Sequence, residues 1–241
     1  MVVGAGRSGT SLVAGLLADA GLTTGHNLIP PSSANPTGFH EDVDVNGLND
    51  ELLAPFLGPE HHRSGARLAW LAALDAGVEP VADAGQRARM AHLIRDRPFC
   101  LKDPRLCQTL DAWRPVLPAD VAYLAVFRHP ASVVRSVQDW ARQDLGYFAD
   151  FDVGDSQLHR TWTSAYTRVI DHHAAEGDWT YVDADALVQG ADTSPLAAAI
   201  GAPVPADRID AGLRRSHREG DPVPDALADL YAKLLARARS G

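Results

Sequence analysis

Val2-Val3 runs into Gly4-Ala5-Gly6-Arg7-Ser8-Gly9-Thr10-Ser11 and then into the apolar stretch Leu12 to Leu17. Two short apolar residues, a glycine-rich turn, two hydroxyl residues and an apolar periodic run read as strand, tight loop and helix. Glycines let a backbone turn closely and aim several N–H groups at one anion, and the helix that follows adds unpaired N–H groups and the positive end of its dipole. The chemistry this pattern can do is to hold a phosphate.

Three readings of that phosphate compete. Gly4, Gly6 and Gly9 fit the spacing of a dinucleotide-binding turn, which needs a second strand ending in an acid about 20 residues on. The segment 25–31 offers neither. Gly4 and Gly9 also fit a nucleoside-triphosphate loop, but Thr10 stands where that loop carries its lysine. The best candidate there for a magnesium-binding acid is Asp183, after the apolar run 179–182. On this reading the chain would be a nucleotide or small-molecule kinase, or a non-catalytic nucleotide-binding module. The third reading places the cation earlier, at Arg7.

A second motif bears on the choice. The run 121–127 is nearly all apolar, as a buried parallel strand requires. It ends in Arg128-His129-Pro130, and a helix-like segment follows with Pro130 near its start and Ser136 one turn further in. Arg128 can fork onto two phosphate oxygens and Ser136 can add one hydroxyl bond.

Together these segments resemble the PAPS-dependent sulfotransferases, where PAPS is 3′-phosphoadenosine-5′-phosphosulfate. Arg7-Ser8-Gly9-Thr10-Ser11 is similar to their phosphosulfate loop: a basic residue, a hydroxyl residue, glycine and two further hydroxyl residues after a strand. In that family an arginine at a strand end and a serine eight residues later bind the 3′-phosphate, which is the spacing of Arg128 and Ser136. The resemblance implies a P-loop-like three-layer α/β fold with a central parallel sheet flanked by helices. It implies sulfuryl transfer from PAPS, with 3′,5′-bisphosphate (PAP) as product, to a hydroxyl or amine of a small-molecule or carbohydrate acceptor. Gly6, Arg7, Ser8, Gly9, Thr10 and Ser11 would hold the 5′ end, with Arg7 also facing the charge that develops on the leaving group. Arginine at position 7, and the lack of a Lys-x-His segment, point to a bacterial or carbohydrate-type branch.

The attacking oxygen must lose a proton, so a general base is needed. The segment 35–42, Asn-Pro-Thr-Gly-Phe-His-Glu-Asp, resembles one that supplies a glutamate base in several branches, and Glu41 takes that role by resemblance. His40 is the rival, since imidazole titrates in the right range; Asp42 is suited to capping a helix from Val43. Leu101-Lys102-Asp103-Pro104 resembles the family's strand-end Lys-x-Pro. Lys102 would then reach the bridging oxygen or the sulfuryl group, and Asp103 would orient it, orient the acceptor, or cap the next helix. Lys102 stands out because 20 of the 22 basic residues are arginine. A late cluster, Arg214-Arg215-Ser216-His217-Arg218, matches loosely the arginine loop that closes the family's cofactor site; one of its arginines, Arg214 and Arg215 first, would touch the 3′-phosphate, with a solvated helix end as the alternative.

The elements that must carry these groups follow from periodicity. Helices are expected over 10–20, 43–57, 66–76, 86–94, 106–117, 130–143 and 156–176, and strands over 99–101, 121–127 and 179–182. Short strands alternating with helices imply a parallel sheet covered on both faces. One domain is expected over 1–241, and the acceptor pocket over the loops 30–65 and 140–160. Trp140, Trp162 and Tyr166 read as core.

Composition sets limits. A hydrophobic fraction of 46% and a charged fraction of 22% are those of a globular protein. Net charge is −9, which argues against nucleic acid as a partner. No apolar run approaches a membrane span, no leader pattern opens the chain, and two cysteines make no disulfide framework, so a cytoplasmic location is expected. His61-His62 and His172-His173 lack ligand spacing with other donors, and no metal is expected.

Overall fold

A computed structural model describes residues 1–59, 61, 67–149, 151–190, 192–209 and 220–240. Arg214, Arg215 and Arg218 fall outside them. Three parallel strands, β1 (Val2–Val3), β2 (Ala122–Phe127) and β3 (Asp178–Asp183), form one open sheet in the order β1-β2-β3. Val2 pairs with Leu124, and Leu124 with Thr180. The segment expected as a strand over 99–101 lies on the far side of β1. There it makes single parallel bridges, Val2 to Lys102 and Thr23 to Phe99, too few for a ladder.

Alternation along the strands divides the core in two. Val2, Leu124, Val126 and Val182 pack against α1 (Thr10–Asp19), α7 (Ala184–Gly190) and α8 (Ser194–Ile200). Val3, Ala125, Phe127 and Tyr181 face α4 (Leu106–Trp113), α6 (Asp155–Thr167) and α9 (Asp225–Ser240). This is the α/β arrangement expected, a parallel sheet with helices on both faces. The remaining helices among the described residues are α2 (Val43–Leu53), α3 (Ala84–Leu93) and α5 (Pro130–Gln143), the last with Pro130 in its first turn. None of the helices is long and apolar enough to cross a membrane.

Two expected helices differ. Over 66–76 the described residues make only one 3₁₀ turn, Ala69–Leu71. The carbonyls that would continue a helix are taken by α6: Thr161 Oγ1 donates to Leu71 O at 2.6 Å and Ser164 Oγ to Leu74 O at 2.9 Å. Tertiary bonds from a neighbouring helix override the local pattern here. Over 156–176, α6 gives way after Thr167 to a π-helical turn, Arg168–His172, and a 3₁₀ turn, His173–Ala175.

Because all three strands run the same way, their C-terminal ends share one edge of the sheet. The glycine-rich loop, Lys102, Arg128 and the start of α7 emerge there. That edge is where open α/β sheets place their ligands.

Candidate active site

The loop after β1 turns through two left-handed residues, Arg7 at φ 68° and Gly9 at φ 89°. Gly9 suits that conformation, and a Cβ there would come within 2.5 Å of the Ala184 methyl group at the start of α7. Arginine in the left-handed region costs roughly 1–2 kcal/mol, a strain of the kind found where function fixes the backbone. Gly9 caps α1 with no side-chain hydrogen bond, so the first-turn N–H groups lack a side-chain partner at the mouth of the loop.

Arg7 spans the two motifs. Its Nε donates to Ser136 Oγ at 3.0 Å, its Nη2 donates to Ala34 O at 3.1 Å, and its guanidinium carbon lies 5.5 Å from the centre of the Trp140 ring. Both motifs open into one cavity of about 660 Å³. Gly6, Arg7, Gly9, Thr10, Ser11, Arg128 and Ser136 line it, as do Lys102 and Glu41. Ser8 does not: its side chain is buried beneath the loop, which leaves Ser8 only its backbone to offer a ligand.

Arg128 is nearly buried. Its Nε donates to Asp185 Oδ1 at 2.9 Å, while Nη2 has no hydrogen-bond partner among the described residues. A buried guanidinium N–H without an acceptor, beside a cavity, is chemically suited to donate to an anion's oxygen. Exchanging Ser136 for alanine removes one hydroxyl bond and is expected to weaken PAP binding by roughly 0.5–1.5 kcal/mol. Calorimetric titration of PAP into both proteins reads the difference.

At the other end, Lys102 and Glu41 form a buried ion pair. Lys102 Nζ also donates to Ser11 Oγ at 3.2 Å and to Phe39 O at 3.3 Å, and Asn46 Nδ2 donates to Glu41 Oε2 at 3.0 Å. One ammonium therefore joins the glycine-rich-loop end of the cavity to the carboxylate. The loop before α2 sets this up. Asn35 Nδ2 donates to Gly38 O at 2.7 Å, and Asp42 caps α2 by accepting from Asp44 N at 2.9 Å, the capping role open to it by sequence. The Asp103 carboxylate makes no bond to the Lys102 ammonium. It accepts from Arg105 N and Nη1 and from Asn49 Nδ2, which fixes the turn into α4.

His40 stands apart. It does not line the cavity, and its Nε2 lies beside Gly15 on α1. Burial, with Arg208 and Lys102 nearby, holds the imidazole below its ordinary value. His40→Gln is expected to change kcat by less than about threefold, against the roughly 10²- to 10⁴-fold of a lost general base; a sulfuryl-transfer assay decides it.

Sequence reasoning missed several cavity residues. Trp70, Trp140 and Tyr147 form an aromatic wall, with Trp140 stacked on Tyr147 at 4.9 Å and on Trp70 at 5.8 Å, and Trp70 Nε1 bonded to the Tyr147 hydroxyl at 3.1 Å. Trp140 shares a helical face with Ser136, Asp139 and Gln143, and that spacing was a usable signal. Trp162 and Tyr166 are core, as expected. Asp185 and Arg208 also line the cavity. Asp183, the acid weighed for magnesium, accepts from Asp185 N at 3.0 Å and from Ala186 N at 3.3 Å at the head of α7.

Residues 1–189 match the model of the sulfotransferase family. The chain belongs to that family. Comparison with curated proteins and with solved structures finds no match. Membership supports an enzyme that transfers a sulfuryl group.

Proposed function

We propose that this sulfotransferase uses PAPS as donor and passes its sulfuryl group to a hydroxyl or amine of a small-molecule acceptor. The observation that carries this reading is the 3.0 Å bond from Arg7 to Ser136, which brings the phosphosulfate-type loop and the 3′-phosphate-type motif to one cavity. The residues present fit the donor. The first turn of α1, with Arg7, Thr10 and Ser11, would hold the phosphosulfate, and Arg128 with Ser136 the 3′-phosphate. The unpartnered Nη2 of Arg128 supports the second assignment.

When bound, the donor supplies an SO3 group to the attacking atom, and the bisphosphate leaves. Glu41 is proposed as the base that takes the acceptor's proton, because it lines the cavity and its carboxylate is bonded to Lys102, which also reaches Ser11 of the glycine-rich loop. Lys102, bonded to Glu41 and to Ser11, is the cation for charge developing on the leaving side. Arg7 shares that task from within the loop. The aromatic wall of Trp70, Trp140 and Tyr147 and the loop 29–39 would enclose the acceptor and exclude water.

Titration separates this proposal from a kinase. PAP is expected to bind with magnesium chelated, and to bind more tightly than ATP with magnesium. Tighter binding of magnesium–ATP would overturn it, and silence with both nucleotides would favour a module that has lost its donor.

A further inference from the structure

Away from the cavity, Asp111 near the end of α4 meets His172 and His173, which follow one another across the end of the π-helical turn. His172 Nε2 lies 2.8 Å from Asp111 Oδ2, and His173 Nδ1 lies 3.4 Å from Asp111 Oδ1. The three residues each turn one donor atom inward, all within 4.8 Å of one another. None of them lines the cavity. Chain spacing gave His172-His173 no partner; the fold supplies one 61 residues away.

The hydrogen-bond roles at His173 are unusual. Its side chain is fully buried, and its Nε2 lies 3.0 Å from Cys107 O, which can only accept, so Nε2 carries the proton. The other nitrogen, Nδ1, is buried and has no hydrogen-bond partner, yet it faces a carboxylate oxygen. A neutral imidazole would aim a lone pair at an oxygen acceptor there, which is unfavourable; a second proton on the ring or a metal cation between the two relieves it. A histidine that anchors one N–H on a backbone carbonyl and turns its free nitrogen toward a carboxylate and a second imidazole has the arrangement of a metal ligand with its outer support in place. His172 Nε2 and Asp111 Oδ2, 2.8 Å apart, would part to about 3.3 Å, the edge of a tetrahedron built from metal bonds of about 2.0–2.1 Å, to admit an ion. Single π turns recur at functional sites, and this one leads directly into the second histidine.

We propose that Asp111, His172 and His173 form a binding site for one divalent transition-metal ion of zinc type, with water completing the shell. Arg114 Nε donates to Asp111 Oδ1 at 3.1 Å, so Oδ2 is the oxygen that faces the ion, and the guanidinium opposes it in charge. One anionic and two neutral ligands suit zinc better than magnesium or calcium, which prefer all-oxygen shells. The ion would pin the end of α6 and its π turn to α4. The role is structural, and it stands whether or not the donor assignment above is right.

The test titrates the metal-stripped full chain with Zn2+ alone, and in parallel with Co2+ to read the visible absorption of the bound ion. Saturable binding of one Zn2+ per chain, with a rise in Tm at saturation, is expected. His172→Gln alters a half-exposed side chain and should leave Tm in chelator unchanged while weakening Zn2+ by at least about tenfold and abolishing the Co2+ band. Asp111→Asn should do the same to the metal, and serves if the histidine variant fails to fold. His92→Gln, on α3, should change nothing. Absence of saturable binding would overturn the site, as would Zn2+ affinity that is equal in the parent, His172→Gln and Asp111→Asn proteins.

Discussion

Glu41→Gln is expected to lower kcat by roughly 10²- to 10⁴-fold, the contribution of a positioned general base, and to leave PAP affinity little changed. Glutamine keeps the shape and the bond from Asn46 but cannot take a proton. The same change leaves Lys102 buried without its counter-charge. Removing one partner of a buried pair destabilises by about 3–5 kcal/mol, less here because Ser11 and the Phe39 carbonyl remain as acceptors. Lys102→Met removes the other partner and should slow turnover by about 10²–10³-fold, as loss of a transition-state donor does. The two groups act as a unit, so the double variant should lose little more kcat than the worse single one. Rate and melting temperature measured on all three variants keep catalysis and folding apart. A Glu41→Gln enzyme with parental kcat would remove Glu41 as the base.

Arg128→Met carries the second large effect. It should weaken PAP by tenfold or more, since hydrogen bonds to charged groups contribute roughly 1.5–3 kcal/mol. It also removes the Arg128 bond to the Asp185 carboxylate, 7% exposed, and should cost stability, since a buried ion pair loses one member. The added change Asp185→Asn separates the two losses. The double variant is expected to regain most of the stability and none of the affinity, because the neutral amide needs no counter-charge while the phosphate still lacks its fork. Thermal unfolding and PAP titration on the same samples provide the comparison. Recovery of affinity in the double variant would mean that Arg128 acts only by neutralising Asp185.

Much of the site was legible because its signals are local. A glycine-rich turn between apolar stretches fixes strand, loop and helix over fewer than about 20 residues, and Arg128-His129-Pro130 marks a strand end and a helix start in three. Lys102 could be picked out because lysine is so rare in this chain. What stayed hidden depends on distant partners. Leu68, Trp70 and Leu71 have helical spacing, but Thr161 and Ser164 claim the carbonyls that a helix would use. Trp70 reaches the cavity only by packing on Gly6, where a Cβ would come within 2.4 Å of its ring. Asp185 reads as an ordinary acid at a helix start, and nothing in the chain order joins it to Arg128. Glu41, given the base role by resemblance, and its rival His40 are adjacent in sequence; the left-handed backbone at His40 accompanies their divergence, with Glu41 at the cavity and the imidazole on α1. Asp111 and the histidine pair belong to the same class, since a π turn and a distant helix bring them together.

The most direct measurement compares PAP with its analogue lacking the 3′-phosphate, titrated into the parent protein and Arg128→Met with magnesium chelated. Two anion sites sharing one nucleotide require PAP to bind the parent at least about tenfold more tightly than the analogue, and require that advantage to vanish in the variant. Equal affinities for the two ligands in the parent, or an undiminished preference for PAP in Arg128→Met, would contradict the account.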